Sequence, residues 1–160
     1  MRKLQNTLLI IVTMMAVSLA RAAENEAVKK DMARLQGEWS MATAGAGGQS
    51  LPDDMLKNSK RVCKGDETTV TIGGQLLMKA NFTLDPSKQP KAIDYRVTAG
   101  RNAGKTQLGI YEFEGESVKF CFAAPGMARP TDFNTKTGDG RTTSVWKRDK
   151  KESTKQVQKK

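Results

Sequence analysis

The chain has 160 residues, enough for one domain with a core of its own, and it contains no histidine and only two cysteines. Without histidine it lacks the usual general base and the commonest metal ligand. Cys63 and Cys121 stand too far apart for a zinc motif, and no nucleophile elbow occurs. The formal net charge is +10, but three of the 27 basic residues lie in residues 1–22, and from Lys147 onward seven basic residues face two acidic ones. The body, Ala23–Trp146, keeps 17 basic against 15 acidic residues, which excludes a dedicated nucleic-acid face as the reading of the charge.

At the start, Met1-Arg2-Lys3 precedes the apolar run Leu8–Leu19, which falls short of the roughly 20 residues a spanning helix needs. Ser18-Leu19-Ala20 and Ala20-Arg21-Ala22 fit the small-x-small pattern of signal peptidase. Residues 1–22 are thus expected to be a signal peptide, cleaved within residues 20–23. The mature protein, without a transmembrane segment, is expected in the periplasm or secreted; an uncleaved membrane anchor is the alternative. No cysteine follows the run to accept a lipid.

Asn25–Leu35 carries a helical signal, with Val28, Met32 and Leu35 at i, i+4 and i+7 and charges opposite. Gly37 is a natural stop, and the alternation of Leu35, Gly37, Trp39 and Met41 opens a first strand. Gly45, Gly47 and Gly48 begin what reads as a long, flexible connection, and Ser50–Lys57, with Pro52 near its start, predicts a short helical turn. Lys60–Lys64 and Thr68–Ile72 predict a hairpin around Gly65-Asp66, and Gly73-Gly74 leads into the longest strand, Gln75–Leu84. Asp85–Pro90 breaks that strand, since neither proline can donate to a ladder. Ile93, Tyr95 and Val97 alternate with polar residues in the next, and Arg141–Arg148 closes the series. The tail, residues 149–160, has almost nothing to bury and is expected to be disordered.

The strongest signal is Leu108–Phe133. Glu114-Gly115 between two β-prone runs predicts a type I′ hairpin in which Tyr111 faces Val118, Gly109 faces Phe120 and Gln107 faces Phe122. Gly109 then leaves room for the ring of Phe120. Leu108–Cys121, Ile110–Lys119 and Glu112–Ser117 share the other side. Cys121 therefore lies opposite the aromatic face. The facing of Cys63 is ambiguous, so a disulfide, which needs Cα atoms within about 7 Å, stays open beside two free thiols. About eight successive strands behind one helix predict an all-β fold. An up-and-down antiparallel barrel spanning residues 23–148 is preferred to a sandwich because closure removes exposed edges.

Gly37-Glu38-Trp39, just after the short helix, resembles the G-x-W motif of lipocalins, in which the Trp closes one end of the barrel beneath a basic residue of the last strand. Lys147 or Arg148 stands in that place here, and Arg is the better stacking cation. More widely, LQGEW, Gln49–Lys57, KGDE, FTLDPSKQPKAIDY, GKTQLGIYEFEGESVKFCFAAPG and RPTDF resemble an uncharacterised lipocalin-like domain family abundant in planctomycete bacteria. The resemblance runs from Leu35 to about Arg148. Arg61 and Cys63 depart from it, standing where apolar residues are expected, whereas Cys121 fits, and this asymmetry weakens a Cys63–Cys121 bridge. The resemblance implies the barrel and carries no established activity.

Three functions follow for weighing. A small barrel can hold one small apolar ligand, with Tyr95, Tyr111, Phe113, Val118, Phe120 and Phe122 inside; equally, these side chains can simply fill the core. Alternatively the protein is an extracytoplasmic interaction module or enzyme inhibitor, presenting Gly45–Lys57 and Ala124–Phe133 to a protein partner. Catalysis has little to stand on: Asp53-Asp54 and Glu112/Glu114/Glu116 are the acidic clusters, and the second flanks a turn where charges are ordinarily solvated. A non-enzyme without cofactor or metal is the expectation, with no specific nucleic-acid partner.

Overall fold

The computed structural model describes residues 21–150, so residues 1–20 of the expected signal peptide and residues 151–160 of the expected tail lie outside it. Helix α1 (residues 21–35) leads into β1 (Gly37–Ala46), β2 (Gln49–Ser50), α2 (Asp53–Lys57), β3 (Lys60–Lys64) and β4 (Glu67–Ile72). The chain continues through β5 (Gln75–Asp85), β6 (Lys91–Gly100), β7 (Thr106–Glu114), β8 (Ser117–Ala123) and β9 (Arg141–Arg148). From β3 to β9 each strand pairs antiparallel with the next, and β1 pairs with both β3 and β9. The result is a closed, eight-stranded up-and-down barrel, with the two-residue β2 hairpinned onto the end of β1. No helix among the described residues is long and apolar enough to cross a membrane.

Alternation sets the walls. Along β1, Trp39 and Met41 are buried, and their partners across the seam, Arg148 and Trp146, lie on the same inner face. Val70, Met78, Ala80, Phe82, Leu84, Ile93, Tyr95 and Val97 continue that face around the barrel. β1 meets β3 only over Gly37–Ser40, and a register shift falls between Met41 and Thr43. Beyond it β2 and α2 take over this side of β1, with Leu51 N donating to the Ala44 carbonyl and Leu56 packing on the core. The glycines expected to make a flexible connection form a tight turn instead. Gly47 and Gly48 both take positive φ (58° and 78°), which a two-residue hairpin loop between Ala46 and Gln49 demands.

The two ends differ. α1 covers the end where β1 begins: the Trp39 indole N–H donates to the Leu35 carbonyl at 2.9 Å, and Gln36 bonds the β3–β4 turn at Gly65 in both directions. Arg34 stacks over Phe113, 4.0 Å from the ring centroid, and donates to the Gly115 carbonyl in the β7–β8 turn. Asp31, buried, accepts from Tyr111 Oη at 2.8 Å and from Lys91 Nζ at 2.7 Å. The opposite end carries the β1–β2, β4–β5, β6–β7 and β8–β9 loops, with the end of α2 tied to the β4–β5 turn through Gly74 N donating to the Asn58 carbonyl.

The β7–β8 register departs from expectation by two residues. Gly109 faces Phe122, Tyr111 faces Phe120 and Phe113 faces Val118, with Glu114 and Ser117 flanking the turn. Gly115 takes the first of the two turn positions (φ 56°), the place a type II′ hairpin reserves for glycine, rather than the second. A slip of two preserves the faces, so the aromatic side stays inward and Cys121 stays on the other face. The loop after β8 is sewn over that outer face: Arg129 Nη1 donates to the Gly109 and Ile93 carbonyls at 2.7 and 3.1 Å and pairs with Asp94. This is why Ile110, Cys121 and Ala123, though facing outward, are buried. Cys63 is buried on the inner face with its thiol 3.5 Å from Thr68 Oγ1, and both cysteines are free.

The domain runs one residue further than Arg148. Asp149 N donates to the Glu38 carbonyl, and its carboxylate accepts from Ser40 Oγ at 2.5 Å and Lys60 Nζ at 2.7 Å.

Candidate functional site

The open half of the barrel holds a cavity of about 740 Å³. Its inner wall is apolar: Met41, Val70, Ile72, Met78, Phe122 and Trp146 are its main bulk. Loop residues around Gly47, Arg101, Pro125 and Gly140 frame the mouth. Three arginines, Arg61, Arg101 and Arg141, belong to the lining, and no Asp or Glu does.

The six aromatic and aliphatic residues expected inside divide by height. Tyr95 and Phe122 line the cavity, their rings 4.2 Å apart. Phe120 lies beneath them, 5.9 Å from Phe122 in a stacked arrangement. Tyr111, Phe113 and Val118 belong to the closed half, where Tyr111 and Phe113 meet edge to face under α1. Burial, first, and then the Asp31 carboxylate push the Tyr111 phenol far above its usual range, so it stays a proton donor to Asp31. These lower residues are core filling.

Gly37, Trp39 and Arg148 come together at the end where β1 begins. Trp39 is fully buried and the Arg148 guanidinium lies 4.2 Å from its ring centroid. Arg148 also donates from Nη1 to the Gln36 carbonyl at 2.7 Å and from Nη2 to the Arg34 carbonyl, so it caps the orphan carbonyls at the end of α1. Gly37, at φ 104°, makes the turn from helix into strand, and an added Cβ would sit 3.5 Å from Arg148 Nη1. Lys147 points outward and takes no part.

Sequence reasoning did not place Arg61 in the site. It is buried to 4 % exposure on the inner face of β3, while its neighbour Val62 stands 42 % exposed outside. The guanidinium lies over three rings, 4.4 Å from Phe120, 4.7 Å from Trp146 and 5.9 Å from Tyr95. Its Nη1 donates to Tyr95 Oη and, at 3.3 Å, to Thr68 Oγ1. Among the described residues these neutral oxygens are its only acceptors, no carboxylate pairs with it, and Nε is buried without any partner. Burial raises the Tyr95 phenol and the nearby Arg61 charge opposes the shift, which leaves Tyr95 a neutral acceptor for Nη1.

No family model, curated protein or solved structure matches this chain. Chemically the arrangement can enclose an apolar body and offer it a cation at the cavity floor. Among the described residues, no group of three His, Cys, Asp or Glu side chains is placed to hold a metal ion.

Proposed function

We propose that this protein is an exported, non-catalytic, lipocalin-like binding protein that takes one small, largely apolar molecule into the open half of its barrel. The observation that carries this reading is the cavity. Its volume of about 740 Å³ lies within the roughly 300–1,000 Å³ typical of small-molecule sites, and its wall is apolar with a few polar groups. The closed half supports it from below: helix, Trp39 and Arg148 hold one end shut, so the mouth is the entry. The alternative, a protein partner gripped by the open-end loops, has less support because Ala124–Phe133 is fastened to the barrel through Arg129.

Titration with N-phenyl-1-naphthylamine, a neutral apolar fluorophore, tests the reading. Saturable binding at one site per chain is expected. Ala44→Trp, which puts bulk into the cavity wall, should weaken it by at least about tenfold through lost volume while the fold, read by far-UV circular dichroism, is kept. Non-saturating uptake, or a titration that Ala44→Trp leaves unchanged, would remove the cavity as the binding site.

A further inference from the structure

Resting on that reading, we propose that the ligand is an amphipathic carboxylate, bound head-down with its carboxylate on Arg61 at the cavity floor and its apolar body toward the mouth.

The unpaired charge belongs to β3. In Lys60-Arg61-Val62-Cys63-Lys64 the outward residues include the aliphatic Val62, while the inward position carries the charge. Pairing leaves Arg61 no choice, since it stands opposite Trp39 on one side and Val70 on the other, both inner-face residues. A guanidinium in such a place needs a counter-charge, because desolvating a cation is costly unless it is paired and fully hydrogen-bonded. The protein supplies π faces and two hydroxyl oxygens on a single nitrogen, Nη1. Nε is closed off among the surrounding side chains, whereas Nη2 is neither closed off nor bonded to any acceptor among the described residues, which leaves it free to donate to a ligand. A carboxylate accepting from Nη2 supplies the counter-charge that the two neutral hydroxyls on Nη1 do not.

The rest of the cavity fits the same ligand. Above Arg61 the wall is Met78, Val70, Phe122 and Trp146, suited to a chain or ring and offering no second counter-ion. At the mouth Arg101 adds positive potential, which draws an anion inward, while Arg141 is paired with Asp132 just outside the lining. A neutral apolar molecule would fill the space and leave the Arg61 charge unpaired.

Isothermal titration of the protein with decanoate, decanol and decyl sulfate at pH 8, in low and about 0.5 M salt, separates the possibilities. Decanoate should bind one to one and more tightly than decanol by at least about tenfold, the order expected for a charge-assisted hydrogen bond. Added salt should leave most of that preference, since a buried pair is little screened. Arg61→Met should abolish the preference, with decanol still bound, and should unfold no earlier than wild type because an unpaired buried charge has been replaced by an apolar side chain of similar length. Arg61→Lys should recover part of the preference. Arg101→Gln should lower decanoate affinity only at low salt.

Equal binding of decanoate and decanol would overturn the carboxylate assignment while leaving the apolar cavity standing. A preference kept by Arg61→Met, or tighter binding of decyl sulfate than of decanoate, would overturn it as well. Failure of all three ligands to bind would overturn it together with the cavity reading.

Discussion

At the scale of single residues, the closed end depends on one cation placed twice over. Arg148 covers the Trp39 ring and, in the same pose, satisfies two carbonyls at the end of α1, so it joins the last strand, the first strand and the helix. Trp39→Ala should cost about 3–5 kcal/mol, the usual loss for a large buried ring that leaves a cavity. Arg148→Ala should cost about 2–3 kcal/mol, more than a stacked cation alone contributes, because two charge-assisted hydrogen bonds go with it. The double mutant should fall short of the sum by at least about 0.5 kcal/mol, since both changes remove the same contact. Lys147→Ala, outside the barrel, should stay within about 0.5 kcal/mol. Urea unfolding of the four variants reads this directly, and strict additivity of Trp39 with Arg148 would mean that the helix cap does not depend on the stacked pair.

At the scale of elements, the β7–β8 hairpin shows how close approach selects glycine. A Cβ built on Gly109 would lie 2.4 Å from Phe122 Cδ1 and 3.0 Å from the Cys121 carbonyl oxygen. The Phe122 ring cannot simply swing away, since Tyr95 packs against it at 4.2 Å and Phe120 at 5.9 Å. Gly109→Ala is therefore expected to lose about 1–3 kcal/mol through overpacking. In a Phe122→Leu background the same change should cost clearly less, because a smaller side chain vacates the space. Denaturant midpoints for the four proteins check this; an equal cost in both backgrounds would locate the strain in the backbone rather than at the ring. The sequence signalled that a glycine in this strand makes room for a cross-strand aromatic. It named Phe120 rather than Phe122 because the turn was centred on Glu114-Gly115. A glycine in a loop this short is compatible with either position, and the register of every partner follows from which one it takes.

At the scale of the whole molecule, the barrel is held shut by the β1–β9 ladder and by Asp149 just beyond it, whose carboxylate joins Ser40 on β1 to Lys60 on β3. Partial burial acts to raise the Asp149 pKa, but the hydrogen bonds and charge of Lys60 and the Ser40 hydroxyl together outweigh it and bring it below the ordinary 3.8. A carboxylate with a depressed folded-state pKa stabilises the fold fully above its unfolded value and loses that contribution as pH falls through the folded one. Stability should therefore hold from neutral pH down to about 5 and then decline below about pH 4. Asp149→Asn should be less stable than wild type at pH 7 and should show a shallower decline between about pH 5 and 2. Thermal unfolding across that range measures both slopes, and parallel slopes would mean that Asp149 is not among the acid-sensitive groups.

Strand identity, order and closure were legible along the chain because period-two alternation and glycine-bearing turns are local. Lys60–Lys64 and Arg141–Arg148 were read with the bounds they have, and the helix before Trp39 and the cation after Trp146 were evident from spacing and residue type. What the chain could not reveal by itself was depth and inward direction. Alternation says that Arg61 and Val62 lie on opposite faces, not which face is inside, and hydrophobicity alone would turn Val62 inward. The ladder to Trp39 and Val70 decides otherwise, and a buried unpaired guanidinium is the consequence. Likewise Tyr95, Tyr111, Phe120 and Phe122 read alike as inward aromatics. Only the height of each on the closed wall, with α1 plugging one end, separates the two that line a cavity from those that fill the core.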